Sequence, residues 1–178
     1  MVLHPLQLAA ALGRLGLRPA RVQQVTGFSR HLLRTLYRSL AIRGGGGPLR
    51  QLETCLKRRQ PRLQAALWAG LYLKSRTEDC QGVDYPALLR AWPLYQALAP
   101  ARHRLEVNAA WRIAHALAMG QARLEHCRSC GAPVLLAPVT VPLHCGHCGE
   151  RQRLPPPGRN PTPAAVPASG HARGLLRV

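Results

Sequence analysis

Apolar residues recur at helical spacing through most of this chain, and the breaks between the periodic runs are marked by Gly, Pro or Ser. Leu6, Leu8, Ala9, Leu12 and Leu15 predict a first helix of about a dozen residues, which Gly16 can end. A second, short helix is expected from Pro19 to Thr26, with proline tolerated in the first turn and Gly27 breaking it. Ser29 can cap a third, from Arg30 to about Ala41, with Leu32, Leu33, Leu36 and Leu40 as its apolar stripe. Gly44–Gly47 and Pro48 read as a loop. Further helices are expected around Leu63, Leu67 and Leu71 with Trp68 and Tyr72, then after a cap at Asp84 through Leu88, Leu89, Trp92, Tyr95 and Leu98, with a kink at Pro93. Another is expected from about Arg104 to Met119, stopped by Gly120. Only Val134–Leu136 and Val139–Val141 look β-prone.

The pattern gives a mainly α fold: a helical body, an N-terminal helix-turn-helix-like unit and a small C-terminal module. The expected division is 1–43 for the N-terminal helices, 44–122 for the helical body, 123–153 for the module and 154–178 for a disordered Pro/Arg tail. No run of about 18 apolar residues occurs, so no membrane span is expected. The N-terminus has no cationic segment ahead of its apolar run, which argues against a secretory signal. Its acid-poor, Arg-bearing composition would suit a mitochondrial transit peptide, but the same residues read well as folded helices.

Charge narrows the function classes. Twenty-five Lys and Arg face seven Asp and Glu, for a formal net charge of +18. A protein this basic usually meets a polyanion, most often nucleic acid. High-GC coding would explain Arg over Lys but not the scarcity of acids; the first acid is Glu53, and Lys57 and Lys74 are the only lysines. The run from Pro19 to Leu40 is a helix, a Gly-containing turn and a helix, with Val22, Val25, Phe28, Leu33 and Leu36 facing inward. Ser29, Arg30, His31, Arg34, Thr35 and Arg38 then form the outward face and are the candidate DNA contacts, Arg34 as base reader. A plain solvated cationic face is the alternative. Arg128, Arg151 and Arg153 form a second candidate DNA-facing group.

The strongest chemical signal is Cys127-Arg-Ser-Cys130-Gly131, answered by Cys145-Gly-His-Cys148-Gly149 with 14 residues between the pairs. Two Cys-x-x-Cys pairs at this separation suit a four-thiolate zinc site, one structural zinc per chain, since four cysteines leave no open coordination position. Two disulfides or four unrelated thiols are the competing reading. The glycine after each second cysteine can turn the chain back and aim backbone N–H groups at the sulfurs. His126, His144 and His147 flank the set as possible substitutes. Thiols in a metal site fit a reducing cytoplasm. An enzyme is not expected. No Ser/His/Asp or Cys/His constellation stands out, Gly44–Gly47 lacks a following Lys-Ser/Thr, and carboxylates are few.

Taken together, the segments Leu6–Leu12, Gly27–Leu40 and Gly82–Tyr95, then Ala110-Trp111-Arg112, Gly120, Leu124 and the paired cysteines, resemble the FlhC family of subunits of the bacterial flagellar master transcriptional activator. The resemblance implies a mostly helical fold with a zinc site at Cys127, Cys130, Cys145 and Cys148. It implies a hetero-oligomer with an FlhD-like companion that binds double-stranded promoter DNA and recruits RNA polymerase. Two departures stand out: Gly44–Gly47 and Arg50–Glu53 replace an aromatic-rich stretch, and Phe28 is the only Phe. Related proteins activate conjugative-transfer genes, so that regulon is an alternative to flagella. A zinc-stabilised RNA-binding or assembly protein is the alternative of a different class. A stable partner is also expected because Trp68, Tyr72, Trp92, Tyr95 and Trp111 look like more aromatic surface than so small a core can hide.

Overall fold

The computed structural model describes residues 4–42, 51–139 and 142–152. The expected loop at Gly44–Gly47, the tail 154–178 and Arg153 lie outside the described residues. Among the described residues, seven α-helices and a two-stranded hairpin follow in order: α1 (Pro5–Arg14), α2 (Pro19–Thr26), α3 (Arg30–Ser39), α4 (Leu52–Leu56), α5 (Arg59–Ser75), α6 (Tyr85–Leu98), α7 (Val107–Ala118), β1 (Arg123–His126) and β2 (Pro133–Leu136). The fold is mainly helical, with four cysteines gathered toward its C-terminal end. None of the described helices is long and apolar enough to cross a membrane.

Local chemistry sets the helix ends. Proline occupies the first turn of α1, α2 and α6, where its missing N–H costs nothing. Gly27 closes α2 in a left-handed conformation, φ 69°, and donates its N–H to Gln23 O. Ser29 Oγ accepts the Leu32 N–H at 3.2 Å, and Asp84 Oδ1 accepts the Ala87 N–H at 2.8 Å. α6 continues through Pro93.

The apolar stripe of α3 is rotated from the one the leucines suggest. Leu33 and Tyr37 are buried and Leu36 packs partly against the core, whereas Leu32 is exposed. Tyr37 wins the inner position because its hydroxyl finds an acceptor, donating to Leu17 O at 2.7 Å. On α6, Leu98 is likewise exposed, while Leu88, Trp92 and Tyr95 face inward.

α5 is the central element. It packs on α4, α6, α7 and the hairpin, with Ala65, Ala69, Trp68 and Tyr72 buried. Trp68 meets Trp92 and Tyr95 edge-on at centroid distances of 5.5 and 5.7 Å and stacks on Tyr72 at 6.1 Å. Its Nε1 donates to Ala110 O at 2.7 Å. The alanines beside these rings leave room for the large aromatics between the helices. All five aromatics named above are buried within the chain. The argument that they exceed the core and require a partner is therefore overturned.

β1 and β2 pair antiparallel, Arg123 with Leu136 through His126 with Pro133. Val134, Leu135 and Leu136 are buried, and β2 packs against α5. The predicted strand at Val134–Leu136 is present. Its partner is Arg123–His126 rather than Val139–Val141; Val139 lies in no strand, and Thr140 and Val141 are outside the described residues. One apolar cluster runs from Ala9 to Cys145. The N-terminal helices join the body at Asn108, which is buried at the start of α7. Its Oδ1 accepts the Arg18 N–H at 3.1 Å, and its Nδ2 donates to Gly16 O at 3.3 Å and Glu106 Oε1 at 2.9 Å.

Candidate metal centre

Each cysteine pair sits on a turn of the same construction. β1 runs into Cys127, whose N–H donates to Ala132 O at 2.8 Å, while Gly131 N–H donates to Cys127 O at 2.8 Å. In the second turn, Cys145 N–H donates to Glu150 O at 2.7 Å and Gly149 N–H to Cys145 O at 3.0 Å. Gly131 and Gly149 adopt φ of 71° and 84°, which these reversals require. A bridge between His144 and Arg151 closes the second turn. The two turns face each other and bring Cys127, Cys130, Cys145 and Cys148 together, with all four sulfurs within 4.8 Å of one another.

Cys127 Sγ lies 3.6 Å from Cys148 Sγ, and Cys130 Sγ 3.7 Å from Cys145 Sγ. Those separations exclude disulfides between these sulfurs, which need about 2.05 Å. They approach the edge of a tetrahedron, about 3.8 Å, for sulfurs roughly 2.3 Å from a common centre. Cys127 and Cys145 are buried, and Cys130 and Cys148 are exposed. The three neighbouring histidines stand outside the ligand set: His144 Nδ1 is 3.0 Å from Gly149 O, and His126 and His147 are exposed.

Donors to the sulfurs differ from those expected. The turn glycines give their N–H groups to carbonyls, not to sulfur. His147 N–H reaches Cys145 Sγ at 3.4 Å, and the Gln152 side-chain amide reaches Cys127 Sγ at 3.4 Å. The Cys130 N–H, with that of Ser129, holds the Cys127 thiol down to about 6. At Cys148 the Glu150 N–H acts the same way, but removal from water and the three adjacent sulfurs outweigh it and push that thiol up to about 12. Four sulfurs this close cannot all ionise against one another, and a cation at their centre resolves that conflict. The set can therefore hold a metal ion, with four sulfur atoms offered as its ligands.

The expected nucleic-acid contacts fall into two places. Ser29, Arg30, His31, Arg34, Thr35 and Arg38 are all exposed along α3. Ser29 Oγ is engaged as the helix cap, and Thr35 Oγ1 donates back to His31 O at 3.2 Å. Among the described residues, none of the three arginines meets a carboxylate. Arg128 and Arg151 lie 90 and 113 positions beyond Arg38, lining a cavity of about 350 Å³ with Glu125, His126, Ser129 and Glu150. That wall carries both signs, and Glu125 is already paired with Arg123 Nε at 2.7 Å.

Sequence reasoning missed Arg59, Arg62, Leu63 and Gly146, which pack the second cysteine turn onto α5. A signal was available. Lys57, Arg58, Arg59 and Arg62 crowd the N-terminal end of α5, where the helix dipole disfavours cations and where no acid stands in the first turn. A scan of the chain against protein-family models gives no match, and a search among curated proteins gives none.

Proposed function

We propose that this chain is a DNA-binding transcriptional activator, the zinc-containing subunit of a hetero-oligomer that acts on promoter DNA in the cytoplasm and recruits RNA polymerase. The outward face of α3 carries the reading. Arg30, Arg34 and Arg38 recur every four residues, exposed and, among the described residues, paired with no acid, on the second helix of a pair joined at Gly27. Like charges at this spacing repel one another within a helix, and an external polyanion would relieve that repulsion. The groove beside it, about 280 Å³ between α2 and α3, is lined by Pro19, Gln23, Arg30 and Arg34. Support for an FlhD-like companion comes from the FlhC resemblance and from Leu94 and Leu98, exposed one turn apart on α6. The flagellar regulon rests on the resemblance alone. Zinc is the ion we assign, since an all-sulfur, four-coordinate set with paired spacing suits it best. Its role is structural.

Two measurements test the reading. Purified protein should carry about one zinc per chain with sulfur ligands, and Cys145→Ser should lose it; X-ray absorption dominated by oxygen or nitrogen would refute the assignment. For DNA, Arg34→Ala and Arg151→Ala are titrated on one promoter fragment at several salt concentrations, with competitor RNA as a parallel arm. Arg34→Ala should relax specificity at one base pair by about 1–3 kcal/mol, or flatten the salt slope by about one unit if it contacts phosphate. Unchanged binding in both folded variants would sink the assignment, and stronger competition by RNA than by duplex would favour the RNA-binding alternative.

A further inference from the structure

The start of α5 holds cations at the end of a helix that repels them, and two of these find partners in the second cysteine turn. Arg59 Nε donates to Gly146 O at 2.8 Å and its Nη2 to His147 O at 3.0 Å. Arg62 Nη1 donates to His144 O at 3.0 Å. These acceptors surround Cys145, and His147 returns its own N–H to the Cys145 sulfur. Below the arginines the two backbones nearly touch. A Cβ at Gly146 would lie 2.8 Å from Leu63 Cγ and 3.2 Å from Leu63 N. Gly146 is absent from the positive-φ glycines, so close approach and not backbone conformation is what excludes a side chain there. Four thiolates around a divalent ion leave about two negative charges, and two guanidinium groups stand on the residues that flank one ligand.

We propose that Arg59, Arg62 and Leu63 couple the four-cysteine site to the helical body, so that metal occupancy stabilises α5 and α5 in turn sets metal affinity. The proposal rests on reading the site as a metal centre. An ion fixes Cys145 and Cys148, and with them the carbonyls of His144, Gly146 and His147. Fixed acceptors hold the two arginines, and the arginines hold the first turns of the helix that carries Trp68 and Tyr72. Coupling of this kind is reciprocal by thermodynamic necessity: whatever factor the docked helix adds to metal affinity, the metal adds to docking. The cysteine turns thus act as a latch on the central helix, and loss or oxidation of the site would loosen the body to which the α1–α3 unit is attached.

The test uses the full chain. Zinc affinity is measured by competition with a chelator, cobalt absorption reports thiolate coordination, and amide hydrogen exchange is followed with and without zinc. Arg59→Gln/Arg62→Gln should weaken zinc binding about 10- to 100-fold. Lys57→Gln/Arg58→Gln, which removes an equal charge from two exposed neighbours, should not. Gly146→Ala should weaken binding comparably, and adding Leu63→Ala should restore part of the loss. In the wild type, zinc should slow exchange in the first turns of α5 and leave α3 unchanged. If the wild type gives a cobalt–thiolate spectrum but the Arg59/Arg62 variant binds zinc as tightly, or zinc leaves α5 exchange unaltered, the coupling is wrong and the metal centre stands. An equal loss in Lys57→Gln/Arg58→Gln would reduce the effect to charge alone and also overturn the latch. A wild type that binds neither cobalt nor zinc removes both readings. Should a variant fail to fold, the wild-type exchange comparison still decides.

Discussion

Asp84 serves three neighbours from one position. Its Oδ1 caps α6, its Oδ2 accepts the Thr77 N–H at 2.9 Å, and its own N–H donates to the Tyr72 hydroxyl at 2.9 Å. Burial opposes its ionisation, but the N–H groups of Thr77 and Ala87 outweigh burial and hold the carboxyl below its ordinary value. Asp84→Ala removes the cap and strands the Thr77 N–H, at a cost of about 2–4 kcal/mol, measured by urea unfolding at neutral pH. A depressed carboxyl pKa stabilises above the unfolded value and is lost as pH falls through the folded one. The gap between wild type and variant should therefore narrow below pH 3.8. The cap was legible in the sequence, because Asp two residues before Pro86 is a helix-start signal. The bond to Thr77 was not, since nothing local places a loop N–H against the second oxygen. The four cysteines were legible for the opposite reason: their spacing is itself the geometry.

At the scale of the element, α3 separates two demands on one helix. Leu33 and Tyr37 hold it to the core, and Ser29 starts it. Its outward arginines contribute nothing to that hold. Arg34→Ala should accordingly leave unfolding free energy unchanged or raise it by about 0.2–0.5 kcal/mol, as Arg30 and Arg38 lose a like-charged neighbour. A loss above about 1 kcal/mol in denaturant titration would mean that the stripe has a structural partner after all. Helices announced by caps and breakers, such as Pro19–Thr26, have the bounds their residues suggest. α4 and β1 gave no such notice. α4 is five residues long, and β1 has Leu124 as its one large apolar residue, so pairing with β2 rather than intrinsic preference makes it a strand.

Across the whole molecule, the least legible features are contacts between segments far apart in sequence. Arg59 and Gly146 are separated by 87 positions, and the amphipathic pattern of neither segment names the other. The same is true of Asn108, which joins the turn before α2 to the start of α7 with Arg21 lying 4.4 Å over Trp111 beside it. An amide is well suited there because it both accepts and donates. Asn108→Asp keeps the acceptor, removes the donor and sets a charge beside Gly16 O, so it should destabilise the fold by about 3 kcal/mol or more, read from thermal unfolding. Asn108 is also the rivet of a pair of calipers. One leg carries the arginines of α3 and the other the cysteine turns, and the rivet is among the contacts that tie the two legs together. A partner gripped by both, as promoter DNA would be if Arg128 and Arg151 touch it together with α3, would then be measured for length as well as chemistry. Loosening the rivet would blur that measurement while leaving each tip intact.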